Sequence, residues 1–131
     1  MKTLGLVLVL LPIMALAADA QDIRKGGSLI GRVESNGDVR IKGAIVGRFE
    51  ANGDIRAKGA IVGRIEADGD IRKKGAIVGR VEKDGDVRMG GKIVGRVEKD
   101  GDIRKGGSII GKAAGVKKEH AAAIFFFGFF E

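Results

Sequence analysis

The sequence predicts an all-β protein built from five 16-residue β-hairpin repeats. Self-similarity at a fixed period indicates a repeat architecture, and glycines recur sixteen residues apart at Gly31, Gly47, Gly63, Gly79, Gly95 and Gly111. The array runs from Asp22 to Gly111 as five copies plus a partial one. The only proline, Pro12, precedes the array, so every backbone N–H of the repeats can join a sheet. We expect the hairpins to form an antiparallel meander that closes as a ring or flower.

Residues 1–20 have the layout of a secretory signal peptide. A lone Lys2 is followed by an apolar run too short to span a bilayer, and then by small residues at Ala18 and Ala20. The sequence therefore predicts export to the periplasm, the outer surface or the medium. It divides into a signal peptide (1–20), a β-repeat domain (21–112) and a Phe-rich tail (113–131). The chain has no cysteine, so we expect no disulfide.

Each copy contains a segment such as Ser35-Asn36-Gly37-Asp38. This suits a three-residue hairpin loop with glycine in the left-handed conformation. The register then pairs Phe49 with Ile55 and places Ile45 on the same apolar face, while the Arg, Glu and Asp side chains share the other face.

A second recurring segment, exemplified by Lys73-Lys74-Gly75, also fits a three-residue loop. That register places Ile71 and Ile77 together on the apolar face. A parallel β-solenoid with 16-residue coils is the alternative fold. We favour the meander because both segments have hairpin chemistry and because the solenoid would stack equivalent arginines directly on one another.

The tail carries five of the six phenylalanines. It predicts a hydrophobic helix of about fifteen residues that plugs or caps the ring, because ten or so strands enclose more space than their own side chains fill. Two alternatives stay open: a strand or helix offered to a partner, and contact with the cell envelope or a membrane surface through the aromatic side chains Phe125, Phe126, Phe127, Phe129 and Phe130.

The repeated Gly-Arg-[Ile/Val]-Glu-x-[Asp/Asn]-Gly-Asp-[Ile/Val]-Arg segment, behind a signal peptide, resembles the small exported bacterial proteins described as five-fold β-flowers. The resemblance covers Asp22 to Gly111. It implies short hairpins that radiate as petals about a five-fold axis and an uncharacterised, non-enzymatic protein. It implies no functional residue.

The residues offer little for catalysis. Beyond residue 20 there is no Cys or Thr, and His120 is the only histidine, so we expect no nucleophilic triad, no metal site and no cofactor. Five carboxylate pairs could serve a hydrolase, although five equal pairs are more typical of a solvated charged face. They are Glu34/Asp38, Glu50/Asp54, Glu66/Asp70, Glu82/Asp86 and Glu98/Asp102. Weak Ca²⁺ binding at the Asp-Gly-Asp loops is the other possible function of these carboxylates.

The net charge of +7 comes without Trp or Tyr, so nucleic acid is not the expected partner. The sequence predicts an exported structural or binding protein that is not an enzyme, with a multivalent anionic ligand as a candidate partner. The alternatives are an envelope protein anchored through the Phe-rich tail and a carboxylate hydrolase.

Overall fold

The computed structural model describes residues 21–130, so the predicted signal peptide lies outside the described residues. Twelve strands are followed by one helix, α1 (Lys118–Phe126). The strands are β1 (Asp22–Lys25), β2 (Ser28–Val33), β3 (Asp38–Ile41), β4 (Ala44–Phe49), β5 (Asp54–Ala57), β6 (Ala60–Ile65), β7 (Asp70–Lys73), β8 (Ala76–Val81), β9 (Asp86–Met89), β10 (Lys92–Val97), β11 (Asp102–Lys105) and β12 (Ser108–Lys112).

Each strand pairs antiparallel with its neighbours in sequence, and β1 pairs with β12, which closes the sheet into a barrel. The predicted all-β meander closed as a ring is therefore confirmed, and the antiparallel pairing excludes the solenoid. The partial copy supplies β11 and β12, so the ring has six hairpins where the sequence has five full repeats. At a strand spacing of about 4.8 Å, twelve strands enclose a ring roughly 18 Å across.

The predicted three-residue loops are confirmed. After β4, the Glu50 backbone N–H donates to the Asp54 carbonyl at 2.9 Å, and the Gly53 N–H donates to the Glu50 carbonyl at 3.0 Å. Gly53 has a φ of 101°, which only glycine adopts readily. Phe49 pairs with Ile55 as expected. These loops lie at one end of the barrel, called here the loop end.

The second set of connections differs from the prediction. Lys73 pairs with Ala76, so the turn contains only two residues, Lys74 and Gly75, whose φ values are 52° and 86°. Two positive φ values are typical of the type I′ turn, whose twist matches that of the flanking strands. These turns lie at the opposite end, the turn end.

A bulge follows each two-residue turn and changes which side chains face inward. Arg72 pairs with Ile77, but Ile71 pairs with Gly79, so β8 carries one extra residue at this point. Ile77 and Ile45 consequently lie outside the barrel, 52% and 53% exposed. Their predicted place on the apolar face is wrong.

The core lies inside the ring. The odd-numbered strands each contribute one side chain with 0% exposure, namely Ile23, Val39, Ile55, Ile71, Val87 and Ile103. Ala121, Ala122 and Ala123 of α1 are also fully buried, so the helix enters the barrel. Small residues on this helix allow close approach to the surrounding wall.

The helix is shorter than predicted, with nine residues and a length of roughly 13 Å. Phe127 follows it as the C-cap, and Gly128 then adopts a φ of 64°. A left-handed glycine ends helices because it turns the chain out of the helical path. The remaining phenylalanines therefore lie on a turn.

Candidate functional site

The five tail phenylalanines lie against the inner wall of the barrel, each on a glycine of a different hairpin. A Cβ added at any of these glycines would approach a ring atom to under 3.0 Å. The pairs are Phe125 with Gly111, Phe126 with Gly95, Phe127 with Gly79, Phe129 with Gly63, and Phe130 with Gly47. Successive rings occupy successive hairpins around the barrel, which confirms that the tail serves as a plug.

The five phenylalanines that were candidates for membrane contact pack inside the barrel. Phe127 and Phe129 are 5% and 6% exposed, and the other three rings pack against the same core. Lys73 Nζ donates to the Phe127 carbonyl at 3.1 Å and lies 5.3 Å from the centre of the Phe129 ring. Contact between all five rings and a membrane would therefore require α1 to leave the barrel.

His120 belongs to the same interior. Its ring stacks on Phe49 with centroids 4.0 Å apart and planes 2° apart, and Phe130 meets Phe49 edge-on at 5.5 Å. Burial, and to a smaller extent nearby Lys117, lowers the pKa of His120 to about 4 against an opposing effect of Glu119. Histidine here packs as a neutral aromatic ring that supports the plug.

The five candidate carboxylate pairs are held by cations on the outer wall. Each Glu accepts a hydrogen bond from the arginine six residues later, as in Glu66 with Arg72 at 2.6 Å. Each Asp accepts from the cation ten residues later, as in Asp70 with Arg80 at 2.7 Å. The hydrogen bond from Asp70 also raises the pKa of Arg80. The five carboxylate pairs are therefore equivalent, and each is bound by cations on the outer surface of the barrel. None of the five differs from the others as a single active site would.

The loop oxygens that could have held Ca²⁺ are also engaged within the protein. Asn52 Oδ1 accepts from the Asp54 backbone N–H at 2.9 Å, while Asp54 Oδ1 accepts from Arg64 at 2.7 Å. Within residues 21–130, no group of three or more His, Cys, Asp or Glu side chains is arranged to hold a metal ion. A cation bound to Asp54 would therefore have to displace Arg64.

A cleft of about 710 Å³ lies at the loop end, between the start of α1 and the loops after β4 and β6. Side chains of both signs line it in equal number, namely Glu50, Glu66 and Glu119 with Arg64, Lys117 and Lys118. His120 also lines the cleft. The mixed charge gives this cleft no preference for an anion or a cation.

The turn end has a different character. The six hairpin tips, called here the turn crown, comprise residues 24–29, 40–45, 56–61, 72–77, 88–93 and 104–109. They contain thirteen Lys and Arg and no Asp or Glu. Five crown arginines reach back to loop glutamates. The seven crown lysines form no ion pair with a carboxylate of the described residues. They are Lys25, Lys42, Lys58, Lys73, Lys74, Lys92 and Lys105.

Each tip also exposes one large aliphatic side chain on the outer wall. These side chains are 52% to 55% exposed, and they are Leu29, Ile45, Ile61, Ile77, Ile93 and Ile109. Each lies opposite an arginine on the neighbouring strand, as Ile61 lies opposite Arg56. Arginine and aliphatic side chains therefore alternate around the crown. Sequence reasoning missed this surface because it assigned the isoleucines to the core.

Comparison of the chain with protein-family models, curated proteins and solved structures finds no match. The likeness to β-flower proteins therefore stays a prediction from the repeat pattern. Among residues 21–130, no helix has the length and hydropathy needed to cross a membrane. The geometry of the barrel and the distribution of its charges are the observations on which function is argued.

Proposed function

We propose that this protein is an exported, non-enzymatic binding module that attaches through its turn crown to an anionic component of the cell envelope. The observation that carries the proposal is the separation of charge between the two ends of the barrel. Thirteen cations occupy the turn crown without a carboxylate, whereas the loop end carries acidic and basic side chains together.

The crown lysines are available for binding. Six of the seven are exposed, and only Lys73 is partly buried, where it contacts the plug. Unpaired lysines concentrated on one surface create a positive potential that attracts and orients anionic partners. The arginines of the outer wall are less available, because their guanidinium groups already bind carboxylates.

Rigidity and symmetry favour attachment at several points. The closed barrel holds six tips at one end, and the aromatic plug fixes the wall from inside. Once one tip is bound, the others meet the same surface at high effective concentration. Such a module gains affinity from an extended anionic partner and little from a small anion.

The experiment measures binding to sodium polyphosphate across a range of salt concentrations. The variant K42N/K58N/K74N removes three crown charges while placing Asn-Gly, a preferred type I′ pair, at each turn. The control K83N/K99N/K117N removes three charges at the loop end. We expect the crown variant to bind at least about tenfold more weakly at low salt, because a surface lysine near an anionic partner contributes about 1 kcal/mol.

The control should bind like the unmodified protein, and added salt should reduce the difference between the two variants by screening. Equal losses in both variants would mean that net charge alone governs binding. That outcome would overturn the assignment of the turn crown as the binding surface.

A further inference from the structure

We infer that the anionic component is the surface of a lipid bilayer containing anionic phospholipids, and that the six exposed aliphatic side chains of the turn crown enter it. This inference rests on the proposed function, since it identifies the partner of the same surface. It begins from a feature that a soluble polyanion does not explain: six large apolar side chains repeated beside the lysines, each more than half exposed.

The exposed aliphatic side chains lie at a distance from the hairpin tips that matches the depth to which proteins insert into a membrane interface. Ile61 lies two residues beyond Gly59 at the tip, a distance of about 7 Å along the strand. Elements that lie in the membrane interface bury their apolar face by about 5–10 Å. Between Arg56 and Ile61 the tip carries one charged side chain, Lys58, among the small residues Ala57, Gly59 and Ala60.

The cations around each aliphatic side chain suit lipid phosphates. Arg56 lies opposite Ile61 at the same level of the wall, but its guanidinium group already binds Glu50, so the lysines supply the charge for the headgroups. Lysines at the tips, such as Lys58, can bury their methylene stems while their ammonium groups return to the phosphate layer. The combination of Lys, Arg and aliphatic side chains is typical of elements that bind anionic membrane surfaces.

The charge pattern favours a membrane over a second copy of the chain. Two crowns brought face to face would oppose seven unpaired lysines with seven more, and like charges across an interface are unfavourable. An anionic surface offers the opposite sign and an apolar layer beneath it. The even distribution of the six tips around the ring is suited to such an extended surface.

The test uses the purified protein with vesicles of phosphatidylglycerol and phosphatidylethanolamine, and with neutral phosphatidylcholine vesicles. The variant I45T/I61T/I77T/I93T removes four exposed aliphatic side chains but keeps β-branched residues, which suit strands. We expect its partitioning onto anionic vesicles to fall at least about tenfold, since burial of apolar area drives insertion. Its binding to polyphosphate should not change.

A spectroscopic readout is available because the chain has no Trp or Tyr. The variant Ile61→Trp should show a blue-shifted emission on anionic vesicles, whereas Ala51→Trp at the loop end should not. If the threonine variant partitions normally and Trp at position 61 shows no shift, the lipid inference is overturned. The proposed function survives that result as long as polyphosphate binding still depends on Lys42, Lys58 and Lys74.

Discussion

The glycines on the inner wall determine how closely the aromatic plug approaches the barrel. Gly79 lies against both the Phe127 ring and the Arg88 carbonyl, and a Cβ there would approach each to within 3.0 Å. The same arrangement recurs at four other hairpins, so one residue type sets the fit of the whole plug. Gly31 is the exception, because its nearest atoms are those of Arg40 and Ile41.

We expect Gly79→Ala to lower the free energy of unfolding by about 2 kcal/mol or more, because overpacking displaces a backbone carbonyl and a buried ring. Denaturant unfolding followed by circular dichroism measures this change. Gly90→Asn is the control, since Gly90 has a φ of 59° with no atom within 4 Å of an added Cβ, and asparagine tolerates this left-handed conformation. Similar stability in both variants would contradict tight packing at Gly79.

His120 makes stability depend on pH. Its pKa is about 4 in the folded protein and about 6.5 when unfolded, so the unfolded state binds the proton first as the pH falls. The folding stability associated with the neutral His120 ring is complete above pH 6.5. It is lost progressively as the pH falls to 4, by up to about 3 kcal/mol. His120→Phe keeps an aromatic ring but does not titrate.

We therefore expect the stability of the unmodified protein, relative to His120→Phe, to decrease between pH 6.5 and pH 4. Urea unfolding at several pH values measures this difference. A constant difference across that range would show that the His120 ring is not buried against Phe49.

Among the elements, the two-residue turns carry local strain. Lys42, Lys58 and Lys74 have φ values of 51° to 52°, a conformation that costs non-glycine residues about 1 kcal/mol. We expect Lys58→Asn to raise the free energy of unfolding by about 0.5–1 kcal/mol, because asparagine favours this turn. Thermal unfolding measures the gain, and Lys83→Asn at the loop end should give none.

The tail is the element on which the barrel depends most. Replacing buried phenylalanine by alanine costs about 3–5 kcal/mol, so the F126A/F127A/F129A variant, which truncates two buried rings and one half-buried ring, should lose an amount comparable to the roughly 5–15 kcal/mol that stabilises a typical domain. We expect this variant to lose its cooperative β-sheet signal in far-UV circular dichroism. The control I45A/I61A/I77A removes exposed side chains and should stay folded. A folded triple-phenylalanine variant would mean that the ring needs no plug.

The turns also explain which parts of the fold could be predicted from sequence. The three-residue loops were predictable because Gly53 and its equivalents need positive φ, and their register follows from loop length. The two-residue turns were not, because lysine rarely adopts positive φ, and the bulge that follows is not visible in residue periodicity. The exposed isoleucines were misplaced for that reason, and with them the surface proposed for binding.

At the scale of the whole molecule, the number of hairpins must match the plug. Six hairpins enclose α1 and seat five rings on five glycines. The sequence predicted closure and favoured a plug, since ten or so strands enclose more space than their own side chains fill. It did not predict which glycine each phenylalanine ring contacts, because no periodicity within the tail matches the spacing of the repeats.

Deleting residues 70–85 tests this match. The deletion removes one copy and joins Gly69 to Asp86, which preserves the Gly-Asp sequence of the loop. We expect the ten-strand chain to lose more than half of the 5–15 kcal/mol typical of a domain, because a narrower ring cannot enclose the helix and its aromatic rings. If the ten-strand chain unfolds at the same denaturant concentration as the unmodified protein, six hairpins are not needed to enclose the helix and its aromatic rings.

Closure of the barrel joins the first strand to the last, so the ring can form only when both strands are free to meet. Domains generally fold as units. Here β1 has no second partner until β12 exists, and the interior stays unfilled until the final phenylalanines have been added. A chain that lacks β12 therefore cannot close, and the barrel forms with its interior filled only when β12 and the tail phenylalanines are both present.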